Sequence, residues 1–347
     1  MAVFACAGCG TELTVPVAEV ALPPHAHRQG GHRYLPPLLE PGTFAVDPEP
    51  SEPPWRPWAE ITVAEAVARG VYAPVDGLWC GSGGAVLLAP GDTRGTVLIP
   101  ERCDGCCAAA GSPNLACEGC GRTVGARIDD CYQWQAVWLH PRAVWRLPVE
   151  GPARPAGDGW AVPPLPPVEP DGWWNDRWTA TVGAALAEVL AASGGEPVAV
   201  PPGLLTETFG RTLRRLLPAG APARTLGLAG PGLTPAPAPD IALVPRHPWT
   251  GAAWQPPAGH GAVPVPLDAA VWTYLAFPPA RRTTRLPAGE ERDDPLPLRP
   301  GWLFEPDRYL LSHRLARLPA VRQPWLHAIY DRLGNRRHHP GTSEDSP

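Results

Sequence analysis

Lysine is missing altogether from the 347-residue chain, so all 29 of its basic residues are arginine. That absence excludes three chemistries. A P-loop needs a lysine to reach phosphates, a pyridoxal enzyme needs one for its Schiff base, and a protein kinase needs one on its third strand. Methionine occurs only at position 1, while proline occurs 50 times. The pattern fits a GC-rich coding bias, and clustered arginines are read first as that habit on a solvated surface. An excess of positive charge is also lacking, the net charge being -5. Duplex binding draws most of its affinity from phosphate neutralisation by a basic face, so a nucleic-acid partner is disfavoured.

No run of 18 apolar residues occurs, and the opening MAVFACAGCG has neither a basic start nor a sustained apolar stretch. The expectation is a cytoplasmic protein with no membrane span and no signal peptide. In that reducing compartment nine cysteines, several of them paired two residues apart, read as metal ligands rather than disulfides.

The length exceeds that of a usual single domain. The Pro/Gly-rich stretch 147–170 (LPVEGPARPAGDGWAVPPLPPVEP) has little periodicity and is read as a linker. It divides a β-rich, zinc-binding domain at 1–146 from a small α/β domain at 171–335, with a disordered tail at 336–347. In the first part Thr11–Leu22 reads as a strand or hairpin, Ala85–Ala89 and Gly95–Pro100 as short strands, and Ile61–Gly70 as a short helix ended by its glycine. In the second, Trp178, Val182, Leu186, Val189 and Leu190 recur at helical spacing up to Gly194-Gly195. A strand at 197–201, a helix from Leu204 to Leu217, strands at 224–229 and 240–245, and helices at 306–318 and 323–333 follow. The order helix-strand-helix-strand suggests a parallel sheet.

Ala5-Cys6-Ala7-Gly8-Cys9-Gly10 and Ala116-Cys117-Glu118-Gly119-Cys120-Gly121 are near copies, each followed by an aliphatic residue, Leu13 and Val124. A two-residue gap lets both sulfurs of a turn face one ion, and the small residues let backbone N–H groups approach the thiolates. These two stretches resemble the knuckles of zinc-ribbon and rubredoxin-like proteins. The resemblance implies a closed, structural Zn2+ site with ligands Cys6, Cys9, Cys117 and Cys120. The 107 residues between Cys9 and Cys117 exceed a ribbon's usual spacing. Closure entropy grows only by about 0.6 kcal/mol per doubling of length, so a folded insert makes the distance tolerable. A local alternative uses Cys103 and Cys106 with Cys117 and Cys120. A third arrangement uses all three motifs in two sites, with Cys131 or a histidine completing the second.

Other candidates are weaker in pattern. His25, His27 and His32 fall in a Pro/Gly-rich loop and read as solvated. Asp129-Asp130 pairs with Arg127, and Gly227, Gly230 and Gly232 miss the dinucleotide fingerprint. Arg246 and His247 close a strand, where open α/β sheets commonly bind ligands. Among fifteen tryptophans, Trp55, Trp58, Trp173, Trp174, Trp249 and Trp254 stand in Pro-rich contexts that suit a protein partner.

The expected fold is therefore α+β overall: an N-terminal β-rich, zinc-ribbon-like module followed by a small α/β domain with a helical C-terminus. The expected role is structural zinc binding in a non-enzymatic accessory or protein-interaction protein. The alternative is an enzyme with a pocket near Arg246 and His247 and zinc as scaffold only.

Overall fold

The computed structural model describes residues 1–29, 34–100, 113–129, 131, 133–151, 160, 162–233, 238–257, 261–278, 283–285, 291–293 and 302–334. Cys103, Cys106, His32, Asp130, residues 152–159 and 161 of the 147–170 stretch and the 336–347 tail lie outside them.

The amino-terminal half begins with β1 (Ala2–Cys6), β2 (Ala18–Glu19), β3 (Thr43–Asp47) and β4 (Trp55–Pro57). Helix α1 (Val63–Ala68) follows, started by a capping box in which Thr62 and Glu65 satisfy each other's backbone N–H groups. Then come β5 (Gly77–Trp79), β6 (Ala85–Leu88), β7 (Thr96–Leu98), β8 (Leu115–Cys117), β9 (Thr123–Ile128), β10 (Ala136–Leu139) and β11 (Val144–Pro148). Seven of these strands form one sheet in the order β2-β3-β6-β10-β9-β8-β7, while β1 pairs antiparallel with β11.

Side chains alternate between the two faces of a strand, and here the alternation feeds two cores. Phe44, Leu88, Val137 and Leu139 meet Phe4, Leu13, Val124, Cys6 and Cys117 on one side. Ala45, Leu87 and Ala136 meet Leu35, Leu38, Leu39 and Trp134 on the other. The second of these cores also takes in Ala180 and Leu310 from the carboxyl-terminal half.

That half opens with α2 (Asp176–Ser193), capped by the Asn175 side chain and ended by Gly194 at φ 65°. It continues through β12 (Val198–Ala199), α3 (Arg211–Leu216), β13 (Arg224–Leu228), β14 (Ile241–Arg246), β15 (Val263–Asp268), α4 (Ala269–Ala276), α5 (Arg308–Ala316) and α6 (Pro324–Gly334). Strands β12-β13-β14-β15 pair parallel in that order. The helical stripe of α2 packs with Phe209, Leu213, Leu243, Val265, Leu267, Leu311 and Leu315 into the largest core.

The fold is thus α+β, strand-rich at its amino-terminal end and helical at its carboxyl end. Two local features depart from the sequence reading. The helix expected over 204–217 contains a π-helical turn at Thr206–Gly210. The Thr206 hydroxyl donates to Pro201 O at 2.6 Å and the Thr208 hydroxyl to Leu204 O at 2.7 Å, bonds that compete with regular helical pairing. Strand β15 was hidden because its sequence, VPVPLD, carries two prolines; it lies at the end of the sheet order, where missing N–H groups are tolerated.

The halves are also tied by polar contacts. Arg28 donates to Asp307 at 3.0 Å and to Asp176 at 2.9 Å, Arg317 chelates Glu49, and Tyr72 N–H donates to Ala316 O at 2.7 Å.

Candidate metal centre

Both cysteine knuckles stand at strand ends. β1 stops at Cys6 and β8 at Cys117, and in each case the chain turns and returns alongside. The two turns carry the same bonds. Cys6 N–H donates to Thr11 O and Gly10 N–H to Cys6 O, at 2.8 and 2.9 Å. Cys117 N–H donates to Arg122 O and Gly121 N–H to Cys117 O, both at 2.8 Å. Each turn ends in a glycine with positive φ, 80° at Gly10 and 71° at Gly121, a conformation in which a side chain is strained.

The turns face each other with approximate two-fold symmetry. Cys6 Sγ lies 3.7 Å from Cys120 Sγ, and Cys9 Sγ lies 3.6 Å from Cys117 Sγ. All four sulfurs lie within 4.8 Å of one another, with Cys6 and Cys117 buried and Cys9 and Cys120 exposed. A disulfide would bring two sulfurs to about 2.05 Å, so these are separate thiols. Four sulfurs at about 2.3 Å from a central ion in a tetrahedron stand about 3.8 Å apart, which is close to the spacing found.

Space at the centre is kept by glycine. A Cβ on Gly8 would lie 3.5 Å from Cys120 Sγ and 3.3 Å from Arg122 Cδ, and one on Gly119 would overlap Thr11 Oγ1 and lie 3.4 Å from Cys9 Sγ. Backbone and hydroxyl groups reach the sulfurs, with Gly8 N–H donating to Cys6 Sγ at 3.4 Å and Thr11 Oγ1 3.2 Å from Cys9 Sγ.

The thiols do not share these contacts equally. The Thr11 side chain, then its backbone, lowers Cys9 to about 6. At Cys120 the Arg122 backbone favours the thiolate, but hydrogen bonding from Cys9, burial and the other two thiols outweigh it and push the group up to about 12. Sulfurs this close resist becoming thiolates together unless a cation offsets their charge. A soft divalent ion fits the donor set: four thiolates close its shell and leave no position for substrate.

Other sequence candidates have different surroundings. Arg246 ends β14, while His247 sits in the following turn, where its Nδ1 accepts from Trp249 N–H and Thr250 N–H, both at 3.2 Å. His247 therefore organises its own turn. Gly230 serves packing: a Cβ there would overlap the Trp272 ring, whose Nε1–H donates to Leu243 O at 3.0 Å. Arg127 lies 3.7 Å from Asp129.

The loop histidines are the clearest correction. His25 is 3% exposed, and His27 packs 5.1 Å from His313 with its Nε2 3.5 Å from Asp47. His25 is buried and His27 partly so because their turn docks against α2 and α5 through Arg28, a contact between residues more than 140 positions apart that no local pattern encodes.

No family model, curated protein or solved structure matches the chain.

Proposed function

We propose that Cys6, Cys9, Cys117 and Cys120 hold one Zn2+ as a structural ion, and that the chain has a non-enzymatic, accessory or protein-interaction role. The observation that carries the metal assignment is the spacing of the four sulfurs, which suits a tetrahedral thiolate shell. Zinc is favoured over iron because nothing else in the sequence resembles an electron carrier, and a d10 ion accepts this geometry without redox chemistry. The ion ties the first hairpin to the β8–β9 hairpin and completes a core to which Cys6 and Cys117 already belong. The reducing cytoplasm keeps such thiols available.

The interaction role rests on exposed indoles. Trp55 and Trp79 are register partners on the antiparallel β4–β5 pair and both are exposed. Trp145 on β11 is 61% exposed, and the Trp173 ring lies 4.3 Å from that of Trp302, tilted by 59°, at the surface. Tryptophan in such positions is enriched where proteins meet.

Elemental analysis of the wild type and of Cys6→Ser, Cys103→Ser and Cys117→Ser tests the assignment. One zinc per chain, lost with Cys6 and Cys117 and kept with Cys103, is expected. Retention in Cys6→Ser with loss in Cys103→Ser would overturn the ligand set.

A further inference from the structure

The segment that follows β3 is acidic and stiff. Asp47 ends the strand, and Pro48 and Pro50 restrict the backbone on either side of Glu49. Residues 82–84 back it: Gly84 N–H donates to Asp47 O at 2.7 Å, Ser51 N–H donates to Ser82 O at 3.4 Å, and a Cβ on Gly83 would overlap Pro48 O. Asp47 is 1% exposed, and its Oδ1 accepts Glu49 N–H at 2.9 Å.

Two histidines and an arginine meet this segment from elsewhere in the chain. His27, beside Arg28 on its turn, places Nε2 3.5 Å from Asp47 Oδ2. His313 of α5 places Nε2 3.9 Å from Glu49 Oε2, and Arg317, just past the end of α5, chelates the same carboxylate. The two imidazoles stack at 5.1 Å, with Tyr309 of α5 beyond His313 at 5.9 Å and Trp138 of β10 beyond His27 at 6.3 Å. Other charges on these elements are engaged: Arg28 pairs with Asp176 and Asp307, and Arg314 pairs with Glu188. His25, on the same turn, is held neutral by its burial.

The donors of this cluster do not converge on an ion. Among the described residues only the four cysteines bring their ligand atoms within 4.8 Å of one another as a group. A proton suits the cluster instead. With both imidazoles neutral, two carboxylates face one guanidinium, an excess of one negative charge. One proton cancels that excess, whereas a second would set two cations ring to ring, where like charges repel. The proton belongs on His27. Its partner Asp47 is buried, with no guanidinium within ion-pair distance among the described residues, while Glu49 is already satisfied by Arg317.

We propose that His27 is a single-proton clasp: protonated, it fastens the end of β3 to its own turn and, across the His313 ring, to α5, and as pH rises it gives up the proton and the contact loosens. The electrostatics agree with the geometry. Burial, the largest influence, lowers His27, but the Asp47 hydrogen bond, then the Asp47 and Glu49 charges, outweigh it and the opposing Arg317, so the folded value is raised above 6.5. A value raised on folding gives a contribution that is complete below 6.5 and is lost as pH climbs through the folded value. The clasp therefore works where imidazole is the side chain that ordinarily titrates.

Hydrogen exchange and imidazole NMR on the full-length chain, from about pH 6 to about pH 9, test the clasp. His27 is expected to titrate above 6.5, with His313 neutral while His27 carries its proton. Protection factors of the Glu49 and Gly84 amides and of α5 should fall over the same range, about tenfold for each unit by which the His27 midpoint exceeds 6.5. His313→Gln should keep this response, Glu49→Gln should lower the His27 midpoint, and His27→Gln should abolish the response. A His27 midpoint at or below 6.5 overturns the proposal. So does a wild type whose protection factors do not change with pH, or one in which both imidazoles charge together. Each of these results is read on the wild type, so none depends on a variant that folds.

Discussion

The sulfurs of Cys6 and Cys120 lie 3.7 Å apart although 114 positions separate them in the chain. The same two-fold relation brings Cys9 to Cys117, so each knuckle contributes one buried and one exposed sulfur. The first hairpin is held there by β11, whose Val144 pairs with Cys6. Strand pairing and the four sulfurs therefore bring the two ends of a long insert to the same place.

Removal of the metal should loosen the amino-terminal core rather than the surface alone. Cys117→Ser is expected to lower unfolding free energy by at least about 3 kcal/mol, because metal-binding free energy in such modules is largely folding free energy. Hydrogen exchange should show lost protection in β1 and β8 while α2 keeps its own. A metal-free variant with unchanged exchange in both strands would sink the structural assignment.

Gly119→Ala tests the close approach of the knuckles without touching a ligand. Its Cβ would overlap Thr11 Oγ1 and crowd Cys9 Sγ, forcing the turns apart. Metal affinity measured by chelator competition should fall about 10-fold or more, as a strain of 1–3 kcal/mol implies. Glu118→Ala, in the same turn, should leave affinity unchanged.

Arg28 is the principal clasp between the His25–Arg28 turn and the starts of α2 and α5. It bonds Asp176 and Asp307, and all three side chains are less than a fifth exposed. Burial raises Asp307 and its Leu310 backbone bond and Arg28 oppose that shift. Removing the guanidinium takes one strong partner from two largely shielded carboxylates, so Arg28→Ala should cost about 1–3 kcal/mol in chemical denaturation. A loss below 1 kcal/mol would mean that the turn is held by its apolar contacts alone.

Two neighbouring histidines should respond to pH in opposite senses. Burial, then Arg177, depresses His25 from 6.5 to about 3, so the folded state favours its neutral form. Its contribution is full above about 6.5 and falls as pH drops towards 3, by about 1.4 kcal/mol per unit. At His27 burial is outweighed by the Asp47 hydrogen bond and charge, and the folded value is raised. Its contribution is present below 6.5 and is lost as pH rises through that raised value. Denaturation of His25→Gln across pH 4–6.5 should give a flatter profile than the wild type, whereas His27→Gln should flatten the profile on the neutral side.

Local patterns were enough to read α2, α5, α6, β6, β13 and β14, because apolar spacing and punctuating glycine or proline are written within one turn or strand. The doubled knuckle was equally legible: small residues around two cysteines repeat almost letter for letter. Knuckle likeness favoured Cys6 and Cys9 over Cys103 and Cys106 as partners of Cys117 and Cys120, and folding brings that favoured set together through the β1–β11 pairing and a shared core. His25 read as part of a solvated loop, yet it is 3% exposed in the folded chain. The amino-acid sequence by itself determined the α+β composition and the four candidate thiols, which depend on neighbours a few residues apart. Tertiary packing decided that the thiols converge and that His25 loses its water, because burial and charge pairing depend on residues that only folding brings together.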